Sequence, residues 1–379
     1  MHIVADENIP LLDAFFAPLG RITRLPGRQI GREHLLDADA LLVRSVTRVD
    51  PQLLADTPVR FVGTCTIGTD HLDLPGLAAA GIAVASAPGC NARGVVEYVL
   101  SCLLTLSERT GLDWRTRRVG IVGVGEVGGR LAQTLAALGV ECLLCDPPRA
   151  NRGESGFAPL DQLLTECDVL SCHVPLTHSG PDATWHLLDA GRLVALRPGA
   201  WLINSSRGPV IDNHALKAVL AERADLQVAL DVWEQEPQVD GELLQRCALG
   251  TPHIAGYSLD GKLRGTEQIY RALCASLGVP APLTLQSLAP DAGRAQLQFA
   301  ADTPAQWLLE RSLRQVYDVR DDDARFRAAM LPLAGQSTAA AFDALRKGYP
   351  LRRECPEVEV RHSGQEETAA LLAAAGFKR

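Results

Sequence analysis

Three residues at the ends of β-like runs form a set able to oxidise an alcohol next to a carboxylate: Arg207 in NSSRGPVID, Glu236 in DVWEQEP and His253 in TPHIAGYS. Taking a hydride from C2 of a 2-hydroxy acid requires a base for the hydroxyl proton, and an imidazole that titrates near neutrality suits that task. A carboxylate beside it stabilises the imidazolium and fixes the tautomer, which is the part assigned to Glu236. A guanidinium holds the substrate carboxylate by two hydrogen bonds and polarises the C2 oxygen, the part assigned to Arg207. Taken singly, each has a plainer explanation: a capped histidine, a solvated loop acid, a surface ion-pair partner. Their weight comes from a hydride-acceptor signal upstream.

That signal is GVGEVG, with Gly123, Gly125 and Gly128, directly after the strand-like RVGIV and before the helical LAQTLAAL. The first glycine permits the tight turn, the second lets backbone approach a pyrophosphate, and the third lets helix and strand pack closely. The helix N-terminus offers unpaired N–H groups to the anion, and Glu126 and Val127 face it through their backbone. Asp146 closes the next strand about 20 residues on, where a carboxylate accepts from an adenosine ribose and repels the 2′-phosphate of NADP. NAD is therefore the expected cofactor, with Arg149 nearby as the one opposing charge. Pro175, ending VLSCHVP, either walls the adenine and ribose side or simply terminates its strand. Asp231, ending VALDVW, either faces the nicotinamide carboxamide or caps a strand.

These residues need a scaffold that brings strand ends together. From Arg118 to the 250s, near-continuous apolar runs (RVGIVGVG, ECLLCD, DVLSCHVPL, WLINSS, QVALDVW) alternate with helical patterns. This predicts an α/β fold, a doubly wound Rossmann domain with a parallel sheet covered on both faces. Residues 1 to about 90 repeat the rhythm with HIVAD, ALLVRS, RFVGTC and IAVASAP, a second, smaller α/β domain. GVVEYVLSCLLTLSERT reads as the helix crossing between them, with a cleft at their junction. After Gly278 a Pro-rich linker leads to AQWLLERSLRQVYDVRDDDARFRAAM and EETAALLAAAGF, a C-terminal α-rich or α+β domain. The expected division is 1–92 with 255–280 for substrate, 93–254 for NAD, and 281–379 for the tail.

The chain has 379 residues, 47% hydrophobic and 22% charged, enough for two or three packed domains. A net charge of −8 argues against a nucleic-acid footprint. No run approaches the roughly 20 apolar residues of a membrane span, and MHIVADENIP lacks the basic start of a signal peptide, so a cytoplasmic protein is expected. The 10 cysteines lie in apolar stretches and read as buried thiols. Cys142 and Cys145 form a CxxC without a second pair at metal spacing; packing is the expected role, and no metal is expected.

Together, GVGEVGGRLA, SSRGPVID, DVWEQEP and TPHIAGYS resemble the signatures of the NAD-dependent D-2-hydroxyacid dehydrogenase family over roughly residues 1–280. The resemblance implies that Arg207, Glu236 and His253 are the catalytic residues. Within the family, TIGTDHLDLPGL, SAPGCNARGVVEYVLS, CDPPRANRG, PHIAGYSLDGKLRGT and the tail segment FDALRKGYPLRRE are similar to a branch acting on 4-phospho-D-erythronate, an early step toward pyridoxal phosphate. That branch implies substrate contacts at Ser45, Thr66 and Tyr257, Gly256 against NAD, and a tail that makes a homodimer. Arg44 is placed to supply charge for the phosphate, and Cys65 stands where a small Ala is expected. The competing readings within the family are 3-phosphoglycerate dehydrogenase, from which the helical tail discriminates, or another 2-hydroxyacid dehydrogenase such as a reductase of glyoxylate or hydroxypyruvate, which usually lacks such a tail. The competing class is an NAD-sensing corepressor or scaffold, the acidic balance arguing against direct DNA contact.

Overall fold

A computed structural model describes residues 1–288, 295–333, 337–362 and 366–378. The chain divides into two compact units, Met1–Asn91 with Ser258–Gly293, and Ala92–Tyr257 with Arg294–Arg379.

The first unit holds five parallel strands: β1 (His2–Asp6), β2 (Arg21–Leu25), β3 (Ala40–Val43), β4 (Phe61–Thr64) and β5 (Ala83–Ala85), in the order β2-β1-β3-β4-β5. Alternate residues feed two cores, Ile3, Ala5 and Phe61 on one face and Val4, Leu41, Val43 and Val62 on the other. A sheet buried on both faces selects unbroken apolar runs, which is why β1, β3 and β4 are legible in the sequence, while β5, a partly exposed edge strand, is legible only from its apolar composition. β2 reads RITRL and is not: it is a half-exposed edge strand whose arginines break the run. The helix Leu259–Leu277 covers this sheet with Ile269, Tyr270 and Leu273. At its Gly265, an added Cβ would stand 2.8 Å from the Cys65 carbonyl oxygen, so helix and loop meet only through glycine.

The second unit holds β6 (Val119–Val122), β7 (Cys142–Cys145), β8 (Val169–Cys172), β9 (Trp201–Asn204), β10 (Gln227–Leu230) and β11 (Leu249–Gly250), all parallel, ordered β11-β10-β9-β8-β6-β7. The order reverses between β6 and β8, and ligands of such sheets bind outside the strand C-termini at that point. β11, two residues at the edge, is too short to carry a sequence pattern. The helix Ala92–Thr110 buries Val95 to Leu106 on one face of the sheet, so the expected crossing helix belongs to this unit.

The described residues from Ala295 onward belong to this unit too, and those from 281 to 288 to the first. The tail pairs β12 (Ala295–Gln298) with β13 (Val358–Arg361) and adds the helices Ala305–Val316, Val319–Met330, Ala339–Lys347 and Glu366–Ala374. Leu308, Leu309 and Leu313 join the core around Ala92–Thr110, while Phe326, Met330 and Phe342 join the core on the opposite face. The first two of these helices are separated at Tyr317, which is extended, and Asp318, whose side chain caps the second. A buried ionic cluster adds specificity to the apolar join. Glu97 accepts from Arg93 Nε at 3.0 Å and from the Cys355 N–H at 2.7 Å, and lies 3.4 Å from Arg352.

The CxxC occupies β7, where residues three apart point to opposite faces. Cys142 packs into one core and Cys145 into the other, and burial pushes both thiols up to about 11.

Candidate active site

The glycine turn follows β6 directly. Gly123 adopts φ +87°, and its N–H donates to the Cys145 carbonyl at 2.8 Å. A Cβ on Gly128 would lie 1.9 Å from the Gly123 carbonyl oxygen, so the helix Glu126–Ala137 can meet β6 only there without a side chain. Gly125, by contrast, is exposed with nothing within 4 Å, at the N-terminus of that helix beside exposed Glu126 and half-buried Val127. These properties fit a dinucleotide: a steric requirement on the helix side and open space on the pyrophosphate side. Two buried polar atoms on neighbouring strand ends, Ser205 Oγ and His173 Nδ1, have no partner among the described residues, as a ligand edge requires.

Asp146 ends β7 and holds the turn together, accepting from the Val124 N–H at 2.9 Å and the Arg149 N–H at 3.1 Å. Arg149, the charge that argued against NAD, is paired with Glu154 at 2.5 Å and donates to the Val124 carbonyl. Its charge is thereby answered within the protein instead of offered to a 2′-phosphate. Pro175 is exposed, and its carbonyl accepts from Thr184 Oγ1 at 2.6 Å.

At the other end of the sheet, His253 Nδ1 lies 2.5 Å from Glu236 Oε1, and Glu236 Oε2 accepts from the Trp233 N–H at 3.2 Å. Burial raises the Glu236 carboxyl, but the His253 charge and hydrogen bond, the Arg346 charge and the Trp233 N–H outweigh it and leave the group below its ordinary value. Glu236 is therefore ionised near neutrality and able to stabilise an imidazolium.

Asp231 does not hold its carboxylate out toward solvent. It is 1% exposed; Oδ1 accepts from Thr251 Oγ1 at 2.7 Å and the Ile254 N–H at 2.8 Å, and Oδ2 accepts from the Ala255 N–H at 2.9 Å. Its carbonyl accepts from the His253 N–H at 2.7 Å. Burial, the largest influence, leaves this carboxyl above its ordinary value despite those donors and His253.

Arg207 follows β9 in a loop shaped by Asn204, which donates to the Arg207 carbonyl at 2.9 Å and accepts from Ser206. Its Nη1 donates to the Ser206 carbonyl at 2.7 Å. The next residue, Gly208, presses on the loop that leads to Glu236: a Cβ there would be 2.1 Å from Trp233 C. His186 braces the same join, its N–H donating to the Pro209 carbonyl and its ring lying 2.7 Å from Glu234.

The tail supplies contacts that no local motif announced. Thr338 accepts from the Val239 N–H and donates to the Pro237 carbonyl, holding the segment after Glu236. Asp323 accepts from the Gly250 N–H, and Arg352 donates to the carbonyls of Ala255 and Gly94. Tyr257, adjoining half-buried Gly256, packs edge-on against Tyr349 at 5.6 Å. Such partners lie far along the chain from the loops they hold, so spacing cannot reveal them.

Ser45 and Thr66 belong to the first unit. Ser45 is exposed in the turn after β3. Thr66 follows β4, its hydroxyl 2.8 Å from Thr64 Oγ1 and donating to the Gly68 carbonyl. Arg44 lies at the same strand end as Ser45, half-buried.

Two outcomes follow from this geometry. Gly125→Ala folds like the parent but binds NADH less tightly, whereas Gly128→Ala loses about 1–3 kcal/mol or more through overpacking; urea unfolding and NADH fluorescence titration separate the two. Burial pushes His173 from 6.5 down to about 4, so the unfolded chain takes up that proton before the folded one does. Its contribution to stability is complete above pH 6.5 and declines as pH falls toward 4. The melting temperature should drop over that interval, and less steeply in His173→Gln.

Residues 104–255 match the family described as D-isomer specific 2-hydroxyacid dehydrogenase, NAD binding domain, and residues 288–376 match a domain of unknown function, DUF3410. Over 374 residues the chain is 59% identical to the erythronate-4-phosphate dehydrogenase of Pseudomonas savastanoi pv. phaseolicola (strain 1448A / Race 6), covering 98% of each chain. It is 56% identical over 379 residues to that of Pseudomonas aeruginosa strain PAO1, covering 99% of each. Among solved structures, a D-lactate dehydrogenase from Aquifex aeolicus complexed with NAD and lactic acid shares the fold, with a TM-score of 0.61 and 24% identity over 73% of this chain and 96% of that one. The chain belongs to the erythronate-4-phosphate dehydrogenases, within the NAD-binding D-isomer specific 2-hydroxyacid dehydrogenases.

Proposed function

We propose that this chain oxidises 4-phospho-D-erythronate at C2 with NAD, giving 2-oxo-3-hydroxy-4-phosphobutanoate and NADH. The observation that carries the reading is the His253–Glu236 pair at 2.5 Å, in a chain similar over 98% of its length to erythronate-4-phosphate dehydrogenases. NAD, when bound, would supply the acceptor for the hydride that leaves C2. His253 takes the hydroxyl proton on Nε2, the ring nitrogen that Glu236 does not use. Glu236, held below its ordinary range, stabilises the imidazolium. Arg207 holds the substrate carboxylate, and Ser45, Thr66 and Tyr257 contact its remaining oxygens.

On the cofactor side, Gly123, Gly125, Glu126, Val127 and Gly128 hold the pyrophosphate, Asp146 faces the adenosine ribose, and Pro175 and Gly256 line the dinucleotide. Asp231 serves the nicotinamide end by fixing the backbone of residues 253–255. The division into 1–92 with 255–280, 93–254 and 281–379 is retained as a division of labour, with the tail as homodimer surface. Leu351, 72% exposed, and Trp307, 47% exposed, support that reading. The ten free cysteines suit the reducing cytoplasm, and no described helix is long and apolar enough to cross a membrane.

The test follows NADH appearance with 4-phospho-D-erythronate and, separately, 3-phospho-D-glycerate. Preference for the four-carbon acid is expected; preference for the three-carbon acid overturns the substrate assignment. His253→Ala should lower kcat by roughly 10²–10⁴-fold while NADH affinity is kept, and an unchanged rate removes His253 from the mechanism. Light scattering should give a mass about twice 40.6 kDa, and a monomer mass would rule out the dimer.

A further inference from the structure

Arg346 differs from the paired arginines of the tail in making no ion pair, and from Arg311, which lies over the Trp307 ring, in having a buried Nε. Arg320 and Arg325 pair with carboxylates, Arg327 with Asp323 and two carbonyls, and Arg352 with Glu97 and two carbonyls. Arg346, in the last turn of the helix Ala339–Lys347, makes no ion pair and no hydrogen bond with any described residue. Its guanidinium lies 5.4 Å from the Tyr257 ring centre and 5.8 Å from that of Phe342, one turn earlier on its own helix. Its Nε is buried without a partner. Its charge reaches Glu236, so it lies within electrostatic range of the His253–Glu236 pair.

A half-buried guanidinium held between two aromatic rings has lost much of its hydration and retains its full fork of donors. Leaving such donors unmet is costly, and the ligand that answers their geometry is a carboxylate or phosphate taken by two parallel hydrogen bonds. The proposed substrate carries two anionic groups, and Arg207 accounts for the carboxylate beside C2. The phosphate, at the far end of the molecule and bearing about −1.5 to −2 charges, calls for cations of its own, of which the sequence offered only Arg44. We propose that Arg346 binds the substrate phosphate beside Tyr257, so that the tail distinguishes a phosphorylated 2-hydroxy acid from an unphosphorylated one. This rests on the dehydrogenase reading, and it makes the tail a part of substrate recognition as well as of assembly.

The experiment compares the parent with R346Q and R346K on two substrates, 4-phospho-D-erythronate and D-erythronate, and measures binding of inorganic phosphate to the NADH-loaded enzyme by calorimetry. In R346Q, KM for the phosphorylated acid should rise on the order of 10- to 100-fold with kcat little changed. Turnover of D-erythronate should fall far less, only by what the lost charge near Glu236 takes from both acids alike, and phosphate affinity should fall by about the factor by which KM for the phosphorylated acid rises. R346K should recover part of both losses. Equal loss on the two substrates, or phosphate binding indifferent to the substitution, overturns the proposal, since a role exercised only through Glu236 would act on both acids alike. Failure of the parent to oxidise either acid would instead sink the dehydrogenase reading, and phosphate calorimetry would still decide the role of Arg346.

Discussion

The carboxylate of Asp231 is the constraint on which the loop carrying His253 depends. It is buried where an ionised group is stable only if every oxygen finds donors, and the loop after β11 supplies them: the Thr251 hydroxyl and the N–H groups of Ile254 and Ala255. With the Asp231 carbonyl taking the His253 N–H, one residue fixes the backbone on both sides of the histidine. His253 is held at φ +57°, a conformation that costs a non-glycine residue about 1–3 kcal/mol and persists only where its surroundings impose it. The aim of the imidazole at Glu236 is thus set by the main chain before any side-chain contact is considered.

Around that anchor the protein uses two kinds of support. The doubly wound sheet delivers strand ends: β9 leads to the loop of Arg207, β10 to Asp231 and the loop of Glu236, β11 to His253. The tail then braces the loops themselves, Thr338 behind Glu236, Asp323 and Arg352 on either side of His253, Tyr349 against Tyr257. Irregular loops cannot hold a productive geometry within a few tenths of an ångström by themselves, and bracing from packed helices is a general solution. This accounts physically for a tail that shares both cores of the second unit instead of standing apart from it.

The cofactor end follows another logic. There the strict requirement is absence of a side chain at Gly128 and left-handed backbone at Gly123, while Asp146 spends its oxygens on the turn and Arg149 is neutralised by Glu154. Both cations of the segment after β7, Arg149 and Arg152, are thus answered by Glu154.

Much of this was legible in the residues alone. The glycine spacing, the apolar runs of strands buried on both faces, and the residue types at Arg207, Glu236 and His253 follow from local chemistry, because turns, pleats and proton transfer each demand particular side chains at fixed intervals. β2 and β11 were not legible, since an edge strand needs no apolar run and a two-residue strand has no period. Nor were the inward aim of Asp231, the pairing of Arg149, the break at Tyr317 and the embrace of the loops around Glu236 and His253 by Thr338, Asp323 and Arg352. Each of those depends on which groups meet across tens to hundreds of residues, and a contact of that range is decided by the packing of whole elements, which no interval along the chain encodes.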